Sequence, residues 1–214
     1  MKKISITFFL MLSLLAAACS PASADVITAM AIEVNPEHLE KTASYARILG
    51  YSADSNTLTV ELIAPEVFDG QDVAALHAGD SIYTDGQEIV IHSISYDDDW
   101  CSTVFINDED VFLFQDRSGN YTRMADEDDY VWNTVAVIEC PVSPSLLFLD
   151  YVDEETGNSL ELPVIHSAQE LTQRLLKEDA SEVYTVGLSY NNVYVIFDAE
   201  GQLAVIHRYS VPWQ

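Results

Sequence analysis

Hydrophobic and polar residues alternate along much of the chain, and short Asp-, Asn- and Gly-containing segments interrupt the alternation. Residues 58–62 (LTVEL) show the period of two that is typical of a strand with one buried face. Residues 81–83 and 88–91 flank the dipeptide DG, which favours a type I′ hairpin turn, and residues 104–106 and 111–114 similarly flank NDED. The pattern predicts an α+β fold made mainly of antiparallel β-sheet.

Helical signals are fewer. Ser167 is a suitable N-cap for a helix over residues 168–179, in which leucines recur along one stripe. An Asn-Pro start predicts a second helix over residues 36–43, although residues 44–51 also have the composition of a strand. A short helical turn is expected at residues 72–77. One well-defined helix therefore accompanies the strands.

Near the C-terminus, the pattern predicts a three-stranded meander formed by residues 183–190, 193–197 and 203–209. The segments 116–119 and 198–201 share the spacing Asp-x-x-Gly. An Asp side chain can accept hydrogen bonds from backbone N–H groups two to four residues later, and glycine tolerates positive φ. Both segments are therefore predicted to be tight turns.

The segment LHAGDSI, residues 76–82, resembles the Leu-x-x-Gly-Asp-x-Ile step that opens a strand in many SH3- or OB-like small barrels. The resemblance implies a small barrel over residues 43 to about 100. Two prolines interrupt the strand pattern at residues 140–145. We therefore expect a β-rich region over residues 25–140 and an α+β region over residues 141–214, which may also be packed as one unit.

The first 24 residues have the features of a secretory signal peptide. Lys2 and Lys3 precede an apolar segment, residues 4–18, that would be about 22 Å long as a helix, shorter than the roughly 30 Å hydrocarbon core of a bilayer. The residues AAC at 17–19 resemble the lipobox of bacterial lipoproteins, which implies lipidation of Cys19 and a membrane anchor. Cleavage after Ala24 is the alternative, and it would release a secreted or periplasmic chain.

Two further cysteines, Cys101 and Cys140, remain after either cut. An even number of cysteines in an exported chain favours a disulfide, which would close a loop of about 40 residues and contribute about 3–4 kcal/mol. The alternative is a pair of unrelated buried thiols. The cysteine spacing does not match a zinc site.

The chain has 35 acidic and 9 basic residues, a formal net charge of −26. Such a charge repels phosphate backbones, which excludes nucleic-acid binding, and it attracts cations or basic partners. Acidic residues cluster at 97–99, 107–110, 126–129 and 153–155. Because none of the clusters has the spacing of an EF-hand, they are expected to be solvated turns, with weak calcium binding as the alternative.

The sequence contains no recognisable catalytic, metal or cofactor motif. The segment GLSYN, residues 187–191, begins like a nucleophile elbow, but it lacks the final glycine. The histidines lack metal-ligand spacing and are expected to be ordinary structural residues; they are His38, His77, His92, His166 and His207. A pair of carboxylates in a cleft could support a hydrolase, but with this many acids no pair stands out.

Aromatic residues flank the predicted strands. An exposed row of them could stack on sugars or bind a peptide, and the alternative is that they fill the core or cover strand edges. The candidates are Tyr83, Tyr96, Trp100, Tyr130, Trp132, Tyr194, Tyr209 and Trp213.

Taken together, these features predict an exported, lipid-anchored, non-catalytic binding or adaptor protein of the bacterial cell envelope. Its expected contacts are the membrane through the lipid anchor and a protein, peptide or glycan ligand. A calcium-stabilised structural module and a carboxylate-based extracellular hydrolase are the alternative hypotheses.

Overall fold

The structure is a computed structural model that describes residues 25–32, 34–97, 102–126, 129–153, 155–177, 187–190 and 192–210. The signal peptide, Cys19 and Cys101 lie outside these residues. Neither described helix has the length and the apolar character that crossing a membrane requires.

Fifteen strands and two helices are described. In chain order they are β1 (Val26–Thr28), β2 (Ala43–Ser52), β3 (Thr57–Pro65), β4 (Val67–Phe68), α1 (Gly70–Ala74), β5 (Ser81–Thr84), β6 (Gln87–Val90), β7 (Ile94–Asp97), β8 (Thr103–Ile106), β9 (Val111–Gln115), β10 (Tyr121–Met124), β11 (Trp132–Pro141), β12 (Leu147–Val152), β13 (Ser159–Ser167), α2 (Ala168–Lys177), β14 (Val193–Phe197) and β15 (Leu203–Arg208).

The strands form three sheets, with the orders β1-β5-β6, β4-β10-β9-β8-β7 and β11-β3-β2-β14-β15-β12-β13. The chain groups into two compact units: one comprises the chain up to Thr28 together with Phe68–Tyr121, and the other comprises Ala29–Val67 and the chain from Thr122 onward. Residues 140–145 lie inside the second unit.

The second unit contains the seven-stranded sheet, which has one buried face. Alternate residues of β3, namely Leu58, Val60 and Leu62, are completely buried, as the period-two pattern predicted. Helix α2 packs on this face and buries Leu171. The opposite face carries the intervening residues of each strand, and it contains the candidate site described below.

Helix α2 begins with a reciprocal cap. The backbone N–H and hydroxyl of Ser167 both donate to the Glu170 carboxylate, and the Glu170 N–H donates to the Ser167 hydroxyl. These bonds lower the pKa of Glu170, because they stabilise its charged form. The predicted helix and its N-cap are confirmed, with the helix described to Lys177.

In the first unit, β5 and β6 form the predicted hairpin, and Asp85 and Gly86 at its tip both have positive φ. Strands β8 and β9 form the second predicted hairpin. Asp69 caps the short helix α1, which begins at Gly70. A Cβ atom on Gly70 would lie 2.0 Å from the Gly119 carbonyl oxygen, so this close approach requires glycine.

The two Asp-x-x-Gly turns are also confirmed. The Asp116 carboxylate accepts from the backbone N–H groups of Ser118 and Asn120. The Asp198 carboxylate accepts from those of Glu200 and Gln202. Each turn follows a strand, and each glycine has positive φ.

Three predictions about the fold are wrong. The small barrel is absent from the described residues, because β2 and β3 pair within the seven-stranded sheet whereas β5 and β6 pair with β1. The segment at residues 36–43 forms turns that lead into β2, in which the Asn35 side chain accepts from the Glu37 N–H. Of the C-terminal meander, the β14–β15 hairpin is present, but the outer neighbours of these strands are β2 and β12. Residues 183–186 of the predicted first strand lie outside the described residues, and residues 187–190 are not in a strand.

Candidate functional site

Seven rings form a connected series on the face of the seven-stranded sheet opposite the core. We call this series the aromatic row, and its members are Tyr130, Trp132, Tyr45, Tyr194, His207, Tyr151 and Tyr209. All of them belong to the second unit.

Strand register places the central members of the row side by side. Tyr45 on β2 is the direct partner of Tyr194 on β14, and Tyr194 is the direct partner of His207 on β15. Directly opposed residues of neighbouring strands point to the same face of a sheet. The row therefore crosses β2, β14 and β15 at right angles to the strands.

The ends of the row follow from the period of two along each strand. Trp132 lies two residues before Thr134. Thr134 is the direct partner of Ile63, and Ile63 is the direct partner of Tyr45, so Thr134 and Tyr45 point to the same face. At the other end, Tyr209 lies two residues after His207. These spacings keep the end rings on the same face as the central ones.

The rings are in direct contact with one another. The centroid of Tyr45 lies 4.9 Å from that of Trp132 and 5.3 Å from that of Tyr194. Tyr130 meets Trp132 edge to face at 5.6 Å. At the other end Tyr151 stacks on Tyr209 at 5.1 Å with nearly parallel planes. Such pairs contribute about 0.5–1.5 kcal/mol each beyond burial.

Part of this face is open to solvent. Tyr45 and Tyr209 are each 41 % exposed. Apolar residues on the same face are also exposed, among them Val137 on β11 and Ile165 on β13. A large uncovered aromatic and aliphatic surface on a strongly charged chain is typical of a binding surface.

Charged groups on this face are paired. The Arg47 guanidinium, two residues from Tyr45 on β2, donates to the Glu61 carboxylate on β3 over 3.0 Å. The Thr134 hydroxyl donates to the other oxygen of Glu61 over 2.5 Å. Both bonds lower the pKa of Glu61, and the bond from Thr134 has the larger effect. The Glu61 carboxylate is therefore ionised and paired at neutral pH.

Tyr45, Tyr209 and His207 of the row are uncharged at neutral pH. Burial against neighbouring rings raises the pKa of Tyr45 and of Tyr209, and nearby tyrosines raise both further. Burial lowers the pKa of His207, because the imidazolium form loses hydration. The row is thus a neutral, electron-rich surface.

Four of the eight aromatic candidates meet in this row, namely Tyr130, Trp132, Tyr194 and Tyr209. Tyr83 and Tyr96 lie in the first unit, where both are exposed. Trp100 and Trp213 lie outside the described residues. The candidates in the row are therefore those that lie in or next to strands β11, β14 and β15 of the seven-stranded sheet.

Tyr45 and Tyr151 were not predicted as binding residues from the sequence, and His207 was expected to be an ordinary structural histidine. The signal for Tyr45 was present in the alternation SYARIL, residues 44–49, once that segment is taken as a strand: Ala46 and Ile48 are buried, and Tyr45 and Arg47 face the other way. Because residues 44–51 could be interpreted as either helix or strand, this signal could not be used.

The described acidic residues at 107–110, 153 and 155 lie in or beside turns. Asp153 shows the pattern, because its carboxylate accepts from the backbone N–H groups of Glu155 and Thr156 and from the Thr156 hydroxyl. These bonds lower the pKa of Asp153. Within the described parts of the chain, no three His, Cys, Asp or Glu residues are placed together to hold a metal ion.

The remaining histidines are scattered. His166 is buried and stacks on Phe148, whereas His38 and His77 are exposed. His92 is exposed in a turn, where its backbone N–H donates to Asn107. In the described part of GLSYN, residues 187–190, the chain leads toward β14 and not into a helix.

The Cys140 side chain is buried on β11, directly opposite Leu58 in the core, and forms no disulfide with another described residue. Burial raises its pKa to about 11, and Glu139 adds to the effect. Its predicted partner Cys101 lies outside the described residues, so the disulfide stays a prediction. The environment of Cys140 also suits the alternative of an unpaired buried thiol.

A cavity of about 290 Å³ lies at the end of β3 and β11 in the second unit. Its lining includes Met30, Glu66 and Asn133. The buried Glu66 carboxylate accepts from the Asn133 side chain over 3.0 Å. Among the lining residues that the structure describes, Glu66 is the one acid, so these residues do not supply the pair of carboxylates that a glycosidase-type hydrolase requires.

Compared with protein-family models, with curated proteins and with solved structures, the chain matches none of them.

Proposed function

We propose that this chain is an exported, lipid-anchored binding or adaptor protein of the bacterial cell envelope, and that it binds its ligand non-catalytically through the aromatic row. The observation that carries the proposal is the continuous series of seven contacting rings on a sheet face that is partly open to solvent. Aromatic residues provide large contact areas at a low cost in side-chain entropy, so they dominate many binding surfaces.

Two features of the sequence support the extracytoplasmic location. The first 18 residues combine a basic start with an apolar segment, and Cys19 follows directly. The strongly acidic composition is compatible with a soluble body outside the membrane.

The anchor is tested by cell fractionation and by labelling with an alkyne fatty acid. We expect the wild-type protein to be labelled and to sediment with membranes, and the Cys19→Ala variant to be unlabelled and soluble. Cys101→Ala is the matched control and is expected to behave as wild type. An unlabelled, soluble wild-type protein would instead support cleavage after Ala24.

The binding surface is tested with peptide and glycan arrays, on which Tyr45→Ala and Tyr209→Ala are compared with Tyr83→Ala. Tyr83 has a similar exposure but lies in the first unit. We expect at least one ligand to be retained by wild type and by Tyr83→Ala, and to be lost by both variants of the row. If every bound ligand is unaffected by the row variants, the aromatic row is not the binding surface.

A further inference from the structure

We propose that the aromatic row binds a cationic partner, specifically an extended Lys/Arg-rich segment of a protein, through cation–π contacts. This inference rests on the proposed function and names the ligand class of the same surface. It follows from the charge of the chain and from the state of each charged group near the rings.

The row offers electron-rich ring faces to a cation. Tyr and Trp attract ammonium and guanidinium groups through the negative potential above the ring, with about 0.5–1 kcal/mol per contact at exposed sites. The Trp132 indole N–H donates to the Asp129 carboxylate over 3.0 Å, so a negative charge lies at the edge of that ring. This contact strengthens the attraction for a cation at Trp132.

The described strands of the seven-stranded sheet present no unpaired cation that would repel such a partner. They contain two arginines, Arg47 and Arg208. Arg47 is paired with Glu61 on the face of the row, and Arg208 is paired with Asp150 on the core side. His207 within the row is neutral at pH 7, because burial lowers its pKa.

The charge of the whole chain points in the same direction. With 35 acidic and 9 basic residues, the field around the protein concentrates cationic ligands and repels anionic ones. A neutral glycan gains nothing from this field, whereas a basic segment gains both in association rate and in contact energy. Charge complementarity therefore selects the basic segment among the ligand classes that aromatic rows can bind.

The test is fluorescence anisotropy with the purified protein and a fluorescein-labelled peptide in which arginine alternates with glycine. The same peptide with glutamine in place of arginine is the neutral probe, and a cello-oligosaccharide is the glycan probe. We expect binding of the arginine peptide to be weakened about five-fold by Tyr45→Ala and by Tyr209→Ala. Tyr45→Phe keeps the ring and is expected to recover most of the affinity that Tyr45→Ala loses.

Tyr83→Ala is the matched control, because it removes an exposed tyrosine from the first unit and leaves the net charge unchanged. If Tyr83→Ala and Tyr45→Ala have the same effect, the peptide is held by general charge attraction and the inference is overturned. Thermal melts establish whether each variant is folded. If Tyr45→Ala is unfolded, Tyr209→Ala takes its place in the comparison with Tyr83→Ala.

The two proposals fail in different ways. If the cello-oligosaccharide or the glutamine peptide binds in a Tyr45-dependent manner and the arginine peptide does not, the row is a binding surface but not for cations. If the row variants change the binding of none of the three probes, the cationic inference is wrong, and the arrays then decide whether the row binds any ligand.

Discussion

At the scale of single residues, the face of the aromatic row depends on how its few charges are neutralised. Glu61 accepts from Thr134 on one oxygen and from Arg47 on the other. The three side chains come from β11, β3 and β2, so they connect three strands beside Tyr45. An ionised Glu61 is what holds this connection together.

The first prediction concerns Thr134→Val, which removes the hydroxyl but keeps the shape of the side chain. Because the pKa of Glu61 is lowered in the folded state, its contribution to stability is present above the unfolded pKa, about 4.3, and is lost as the pH falls through the folded value. We expect the variant to lose about 1 kcal/mol at pH 7 and the loss to shrink steadily as the pH falls below about 4.3. Urea unfolding followed across this pH range measures the effect.

Thr59→Val is the control for this experiment. The Thr59 hydroxyl donates to the exposed Glu139 carboxylate on the same pair of strands. Exposed contacts of this kind contribute little, so a smaller loss is expected. A Thr134→Val loss that stays the same from pH 7 down to the lowest pH at which the protein is folded would show that Glu61 is not the acceptor that matters.

At the scale of elements, β12 and β15 are joined by a buried ion pair. The Arg208 guanidinium donates to both oxygens of the Asp150 carboxylate, over 2.9 and 2.6 Å, and lies over the Phe148 ring. Asp150 also accepts from the Val152 N–H at the point where the register of β12 and β13 shifts. The pair thus fixes the one parallel contact in the described part of this sheet.

We therefore predict strong coupling between Asp150 and Arg208. Removing one partner leaves a buried charge uncompensated, so Asp150→Leu and Arg208→Met are each expected to lose about 3–5 kcal/mol. The double variant buries no charge and is expected to lose much less than the sum. Urea unfolding of the four proteins in a double-mutant cycle measures the coupling. Additive losses would mean that the two side chains act independently.

The same scale shows which elements could be predicted from the sequence. The β5–β6 and β8–β9 hairpins and the start of α2 depend on residues close together in the chain, such as Asp85-Gly86 and the Ser167–Glu170 cap, and all three were predicted. The pairing of β14 with β2 joins residues that are about 150 positions apart. Alternation identifies a strand but does not choose its neighbour, so the meander and the barrel were wrong.

The candidate site was only partly predictable for the same reason. Tyr194 and Tyr209 could be identified as aromatic residues beside strands, but their meeting with Tyr45 requires the β2–β14 pairing. The row is a product of long-range register. Four of its members could be predicted as candidates from the sequence, and the strand order of the folded sheet places all seven next to one another.

At the scale of the whole molecule, the net charge of −26 is the dominant electrostatic property. Many of the acids lie in turns, where they accept backbone hydrogen bonds, as Asp116, Asp153 and Asp198 do. These hydrogen bonds stabilise the turns, but they leave the negative charges of the carboxylates in place. The folded chain therefore carries a net self-repulsion, which dissolved ions screen.

We expect 0.3 M NaCl to stabilise the folded chain by about 1 kcal/mol relative to 0.02 M NaCl, which corresponds to about 2–4 °C in Tm. If the acids are solvated turns, CaCl2 and MgCl2 at equal millimolar concentration will give the same Tm, because at equal ionic strength both cations only screen the charge. A rise that is specific to calcium and is reversed by EDTA would instead favour the calcium-stabilised module, since only a built site of oxygen ligands distinguishes the two cations. No rise in NaCl would contradict the self-repulsion and would also weaken the electrostatic reason for expecting a basic partner at the aromatic row.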